Sequence, residues 1–249
     1  MLPLIDEGQG EPTLLLMHFF GNSHRDWTEV LPYLTPYHRC IAVDMPGFGD
    51  AGPSEALDSV AMADQVEETV RELGLTRVVL VGHSFSGRTA MLLAARQPAW
   101  LEALLLVAPT PPGPQPVSED ERNFQLAFDF SREQAEAFIR GAVVQSPSAA
   151  AFERAVLDAM RASREGWYRW PRTTYAEDHS AAVGTLNYPV RVIVGDQDPS
   201  LPPDVQKRLV MPHFAQGELR IIKQCGHLLP LEIPEQLAAE ISEFITQAV

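Results

Sequence analysis

Basic residues are scarce in this chain. Nineteen Lys and Arg stand against 33 Asp and Glu, for a formal net charge of −14. A surface of that sign repels phosphate backbones and anionic headgroups, so neither nucleic acid nor a membrane surface is an expected partner. Cysteine is scarcer still: Cys40 lies in an apolar run and Cys225 far along the chain. Two such thiols suit a reducing cytoplasm better than a disulfide framework. Long hydrophobic runs are missing too, since Leu14-Leu15-Leu16-Met17 is far too short to span a bilayer. Met1 to Glu7 has no basic residue, so no secretory signal is expected. No His, Cys, Asp or Glu fall at metal-ligand spacing and no H-E-x-x-H occurs, so no metal is expected. What remains is a 249-residue chain of ordinary apolar content, enough for one large domain or a domain with an insertion.

Apolar, β-branched stretches alternate with segments of helical periodicity. Strands are expected at Leu2–Ile5 (an edge), Thr13–Met17, Arg39–Val43, Arg77–Val81, Ala103–Val107, Val190–Val194 and Leu219–Ile222. Helices are expected over Trp27–Leu34, Leu57–Leu73, Arg88–Gln97, Pro203–Leu209 and from Pro234 to the end. Strands apolar along their whole length belong in a mostly parallel, twisted sheet with helices on both faces, an α/β class. Ligands of such sheets sit beyond the carboxyl ends of the strands.

The pattern breaks at Ala108-Pro109-Thr110-Pro111-Pro112-Gly113-Pro114, which can continue neither a helix nor a central strand. Beyond it, Ser118-x-x-Glu121 and Ser131-x-x-Gln134 read as capping boxes, and Ser146-Pro147 opens a third helix to about Ala162. Residues 109–188 are therefore read as a helical cap inserted into a core of residues 1–108 and 189–249. Its aromatics, from Phe124 to Tyr175, serve first as the cap's own packing. Some must face the core, which implies an apolar pocket.

Candidate chemistry centres on Gly82-His83-Ser84-Phe85-Ser86-Gly87. A strand that becomes a helix within one serine must bend sharply, and Gly82, Ser86 and Gly87 are small enough to let the two backbones pass closely. The bend exposes Ser84, and the new helix offers it unpaired N–H groups. A Ser in an ordinary turn is the plainer reading, so partners decide. A hydroxyl needs a His base, held in one tautomer by an acid. His83 alternates to the opposite side from Ser84 and reads as packing. His18 could be a supporting donor, and His24, His38, His179 and His213 lie in polar settings. His227, in the loop after the last strand, is the preferred base. Asp198, just past the penultimate strand, is the preferred acid, with Asp196 holding the turn. Gly47-x-Gly49-x-x-Gly52 imitates a dinucleotide fingerprint, but Pro53 and Ser54 stand where its helix should open.

These motifs resemble the α/β-hydrolase fold family, serine-nucleophile branch, over about residues 13–108 and 188–248. The order Ser84, Asp198, His227 is that family's nucleophile–acid–base order. Asp44-Met45-Pro46-Gly47-Phe48-Gly49 and His18-Phe19-Phe20-Gly21 resemble two of its loops, with Phe19 where Gly is usual. The resemblance implies an oxyanion hole from the backbone N–H groups of Phe20 and Phe85, and a carboxylesterase-like activity on small, largely apolar esters. It implies no cofactor. Carbon–carbon hydrolysis, amide hydrolysis, perhydrolysis and a non-catalytic binding module are the alternatives.

Overall fold

The computed structural model describes residues 1–249. Seven strands, β1 (Leu4–Glu7), β2 (Thr13–Met17), β3 (Cys40–Val43), β4 (Val78–His83), β5 (Leu101–Val107), β6 (Val190–Gly195) and β7 (Gly217–Ile222), form one sheet in the order β1-β3-β2-β4-β5-β6-β7. β1 pairs antiparallel with β3, and every other pairing is parallel.

Helices α1 (Leu31–Leu34), α2 (Ser59–Glu72) and α3 (Phe85–Ala95) connect the early strands. Between β5 and β6 come α4 (Glu119–Ala127), α5 (Arg132–Ala142), α6 (Ala149–Arg161), α7 (Arg164–Arg172) and α8 (Ser180–Val183). A short α9 (Pro203–Val205) follows β6, while α10 (Leu229–Glu232) and α11 (Pro234–Ala248) follow β7.

Strand side chains alternate between faces, so uniformly apolar strands feed two separate cores. Leu15, Met17, Leu80, Leu104 and Leu106 pack with Met62 and Val66 of α2 and with the aromatics of α4 to α7. Their neighbours Leu14, Leu16, Val79, Val81 and Leu105 pack instead with Leu31 and Leu34 of α1 and with Leu237, Ile241 and Phe244 of α11.

Most boundaries agree with the sequence reading to within a turn, and the exceptions have local causes. The helix expected over Arg88–Gln97 begins at Phe85, because the bend is completed within Ser84 itself. The stretch expected as one helix over Trp27–Leu34 divides into a 3₁₀ turn at His24–Trp27 and the single turn α1. Pro32 lacks the N–H that a continuous helix would need there. Ser148, not Ser146, caps α6 by accepting from the Ala151 N–H at 3.1 Å. Helix α7 was not anticipated. Its cap, Ser163, is followed at the third position by Gly166 rather than Glu or Gln, so the reciprocal half of a capping box is missing, and Pro171 lies inside it.

Candidate active site

At the carboxyl end of β4 the chain turns at Ser84 with φ 57° and ψ −120°, a left-handed conformation that is costly for a residue with a Cβ. Close packing holds it there. A Cβ on Gly82 would lie 2.9 Å from Gly87 Cα, and one on Gly87 would lie 2.4 Å from Pro109 Cβ. The Ser84 N–H donates to Val107 and its carbonyl accepts from Thr110, both at 2.9 Å, so β5 and the proline-rich segment clamp the turn. Ser86 contributes more than small size. Its hydroxyl accepts from the His83 N–H at 3.0 Å and lies 2.9 Å from the His18 carbonyl, which ties the bend to the loop after β2.

Three residues far apart in sequence meet here. The Ser84 hydroxyl lies 2.9 Å from His227 Nε2, and His227 Nδ1 lies 2.7 Å from Asp198 Oδ2. The carboxylate fixes the tautomer: Nδ1–H donates to Asp198, which leaves Nε2 free to accept the serine proton. All three are nearly buried, at 7 %, 6 % and 3 % exposure for Ser84, His227 and Asp198. Burial alone would raise the Asp198 carboxyl, but His227 and the Leu201 and Ser200 N–H groups hold it below its ordinary value. Burial would likewise lower the imidazole. Asp198 first, then Glu121 and Glu232, more than offset it, so the His227 pKa is raised. Asp196, the other acid of that loop, accepts from the Gln224 N–H at 2.7 Å and holds the turn, as its setting suggested.

The Phe20 and Phe85 N–H groups make no hydrogen bond within the protein. Phe85 opens α3, where such donors are unpaired by construction. His18 accepts from the Met45 N–H at 2.9 Å and donates from Nδ1 to the Phe19 carbonyl at 2.7 Å, which holds the loop carrying Phe20. Burial lowers its pKa, in keeping with a neutral ring. The Phe19 ring lies tilted 5.4 Å from His83 and stacked 6.2 Å from Phe138.

Three features were not read from the sequence. His83 does more than pack: its Nε2 donates to the His227 carbonyl at 2.9 Å, and burial pushes its pKa down to about 3, so it remains neutral. Glu232, in an otherwise apolar turn, accepts from the N–H groups of Gly226, Leu228, Val144 and Gln145 at 2.8 to 3.1 Å. It clamps the His227 loop to the end of α5, and the Ala142 carbonyl accepts from the His227 N–H at 2.8 Å. His24, Asp44 and Asp50 bring ligand-type atoms within 4.8 Å of one another, a grouping their spacing did not announce. Their bonds are already taken up, His24 by Asp44 and Asp50 by Arg161, as in an ion-pair network.

The pocket at Ser84 presents mostly apolar surface, as expected, but it also carries a polar wall that the sequence did not announce. The cavity at Ser84 has an aromatic wall of Phe19, Phe20, Phe138 and Trp170 and a polar wall of Gln115, Glu121, Gln125 and Ser200. Half of that polar wall comes from helix α4, whose first-turn carboxylate and mid-helix amide line the cavity, while Gln115 precedes α4 and Ser200 follows β6. Phe128 and Trp167, stacked at 3.8 Å, are buried among the helices themselves and form packing, as the first reading of the aromatics had it.

The α/β hydrolase family model matches residues 14–240. The chain belongs to the α/β hydrolase family. Among curated α/β hydrolases it is 26 % identical to the strigolactone esterase RMS3 of Pisum sativum, over 97 % of this chain and 95 % of that one. It is also 26 % identical to the 2-hydroxymuconate semialdehyde hydrolase of Pseudomonas sp. (strain CF600), over 98 % of this chain and 90 % of that one. Among solved structures, the bromoperoxidase from Bacillus anthracis superposes with a TM-score of 0.87 over 98 % of this chain and 94 % of that one, at 19 % identity. As an α/β hydrolase the chain has hydrolase chemistry as its family activity. No helix is long and apolar enough to cross a membrane.

Proposed function

We propose that this α/β hydrolase is a serine hydrolase that cleaves small carboxylic esters through an acyl-enzyme. The observation that carries the reading is the hydrogen-bonded run from Ser84 through His227 to Asp198, at 2.9 and 2.7 Å, on a strained turn. Ser84 attacks the ester carbonyl as His227 takes its proton. The Phe20 and Phe85 N–H groups receive the oxyanion, each worth about 3–4 kcal/mol in the transition state. His227 then protonates the leaving alcohol and activates the water that frees the acid, while Asp198 stabilises the imidazolium. Residues 109–188 serve as a cap whose Phe138 and Trp170 exclude water from that chemistry.

The strigolactone esterase among the relatives supports an ester substrate. The semialdehyde hydrolase supports the second reading, carbon–carbon hydrolysis with the same triad. Against that second reading, no Lys or Arg lines the cavity to receive a substrate carboxylate.

Replacing Ser84 by Ala is expected to lower turnover of a p-nitrophenyl ester by roughly 10⁴–10⁶ and to abolish labelling by a fluorophosphonate. An S84A protein as active as wild type would exclude the reading. A ring-cleavage dienoate tested beside the ester separates the two reactions.

A further inference from the structure

Glu121 occupies a position where its sequence promises a purely structural role. It is the third residue of α4 after the cap Ser118, whose Oγ accepts from the Glu121 N–H at 3.1 Å. A capping box would be closed by the Glu121 carboxylate accepting from the Ser118 N–H. That bond is not made. The carboxylate turns the other way, and its Oε1 lies 3.4 Å from Ser200 Oγ, on the wall of the cavity that holds Ser84 and His227. It forms no salt bridge with any Lys or Arg. One turn further along α4, Gln125 is 5 % exposed and its Oε1 is buried without a hydrogen-bond partner. Leaving a buried acceptor unpaired is costly, so both groups are suited to a donor brought from outside.

Their position relative to Ser84 says where that donor sits. Glu121, Gln125, Phe138, Ala142 and Ser200 line both the inner cavity, of about 50 Å³, and an adjoining outer one of about 280 Å³. The inner space is much the smaller of the two and suits the shorter arm of an ester. The larger arm of a substrate must cross the shared ring into the outer space. Neither cavity is lined by Lys or Arg, and Phe124 and Phe138 add aromatic rings, a residue type that favours a cation, to the lining.

Resting on the esterase reading above, we infer that the preferred substrate is a short-chain ester whose alcohol arm carries a protonated amine, received by Glu121 and Gln125 at the junction of the two cavities. The chemistry at Ser84 is unchanged by this, and Glu121 acts in binding.

The test compares 3-(dimethylamino)propyl butyrate with its neutral isostere, 4-methylpentyl butyrate. Wild-type kcat/KM is expected to favour the cationic ester by about tenfold or more, the order supplied by a charge-assisted hydrogen bond. At 1 M salt, where the surface charge is screened, that ratio should fall to near one in E121Q, mainly through KM for the cationic ester. A Glu121 that acted only on the charge of His227 would instead slow both esters alike. A wild-type ratio of one or less, or a ratio unmoved in E121Q, overturns the proposal. Direct binding of both esters to S84A and S84A/E121Q keeps the outcome independent of turnover. Tighter binding of the cationic ester, lost in the double variant, supports the site, and equal binding overturns it. Failure of wild type to cleave either ester counts against the esterase reading alone.

Discussion

At the scale of single residues, Asp198 separates positioning from folding. One of its oxygens accepts from the Ser200 and Leu201 N–H groups, and the other accepts from His227 Nδ1. In Asp198→Asn the amide oxygen can keep the first two bonds, while its NH₂ group faces Nδ1 and forces the proton onto Nε2. The ring can then no longer accept the serine proton. Turnover is expected to fall by about 10⁴ with the thermal midpoint little changed, which esterase assays and thermal melts on one preparation would check. The direction of the His227 shift gives a second expectation. A base must be neutral to act, and a raised pKa keeps the ring protonated to higher pH. The acid limb of kcat/KM against pH should therefore bend above the ordinary histidine value of 6.5. An inflection below that value would contradict the ion pairing with Asp198. The meeting of Ser84, Asp198 and His227 was legible in sequence because each follows a strand, and parallel strands bring their carboxyl ends to one rim. Glu232 and Glu121 were not. The bonds of Glu232 reach residues 144 and 145, nearly ninety positions away, and Glu121 is indistinguishable in sequence from an ordinary capping glutamate.

At the scale of elements, the β4–α3 bend depends on space that only glycine leaves. Gly87→Ala gains up to about 1 kcal/mol of helix propensity. The new methyl, however, would meet Pro109 Cβ at 2.4 Å, with backbone atoms just behind it. Overpacking of that kind costs roughly 1–3 kcal/mol, so G87A should be destabilised in urea unfolding and lose activity as the bend opens. Gly141, near the end of α5, is the control. A Cβ there meets nothing within 4 Å, so G141A should be stabilised by roughly 0.5–1 kcal/mol. The sheet was readable because runs such as Arg77–Val81 carry both strand propensity and full burial. The helices between β5 and β6 were readable only where a cap announced them. Helix α7 had a serine cap without its reciprocal partner, and so its Trp170 could not be assigned to the pocket in advance. The register that turns the start of α4 toward Ser84 is likewise set by contacts between helices, not by any local signal. Arg88 illustrates the same limit. It is fully buried in α3 and donates to the carbonyls of Pro111 and Gly113, at 2.8 and 2.9 Å, stapling the proline-rich crossing to the bend.

At the scale of the whole molecule, the excess of acid acts on the same substrates as Glu121 but over a longer range. A net charge of −14 surrounds a cavity lined by no Lys or Arg, so a cationic ester is drawn toward the protein before it reaches the pocket, and an anionic one is repelled. The two contributions differ in their response to salt. The screening length falls from about 10 Å at 0.1 M to about 3 Å at 1 M, which removes attraction from distant surface carboxylates while barely touching a half-buried one. For 3-(dimethylamino)propyl butyrate, kcat/KM should therefore fall with added salt toward a plateau that still exceeds the neutral isostere. The isostere itself should show almost no salt dependence. In E121Q the slope with salt should persist, because the surface is unchanged, but the plateau should drop to the level of the neutral ester. A cationic preference that vanished completely at high salt in the wild type would assign it to the surface field and leave Glu121 no part in it.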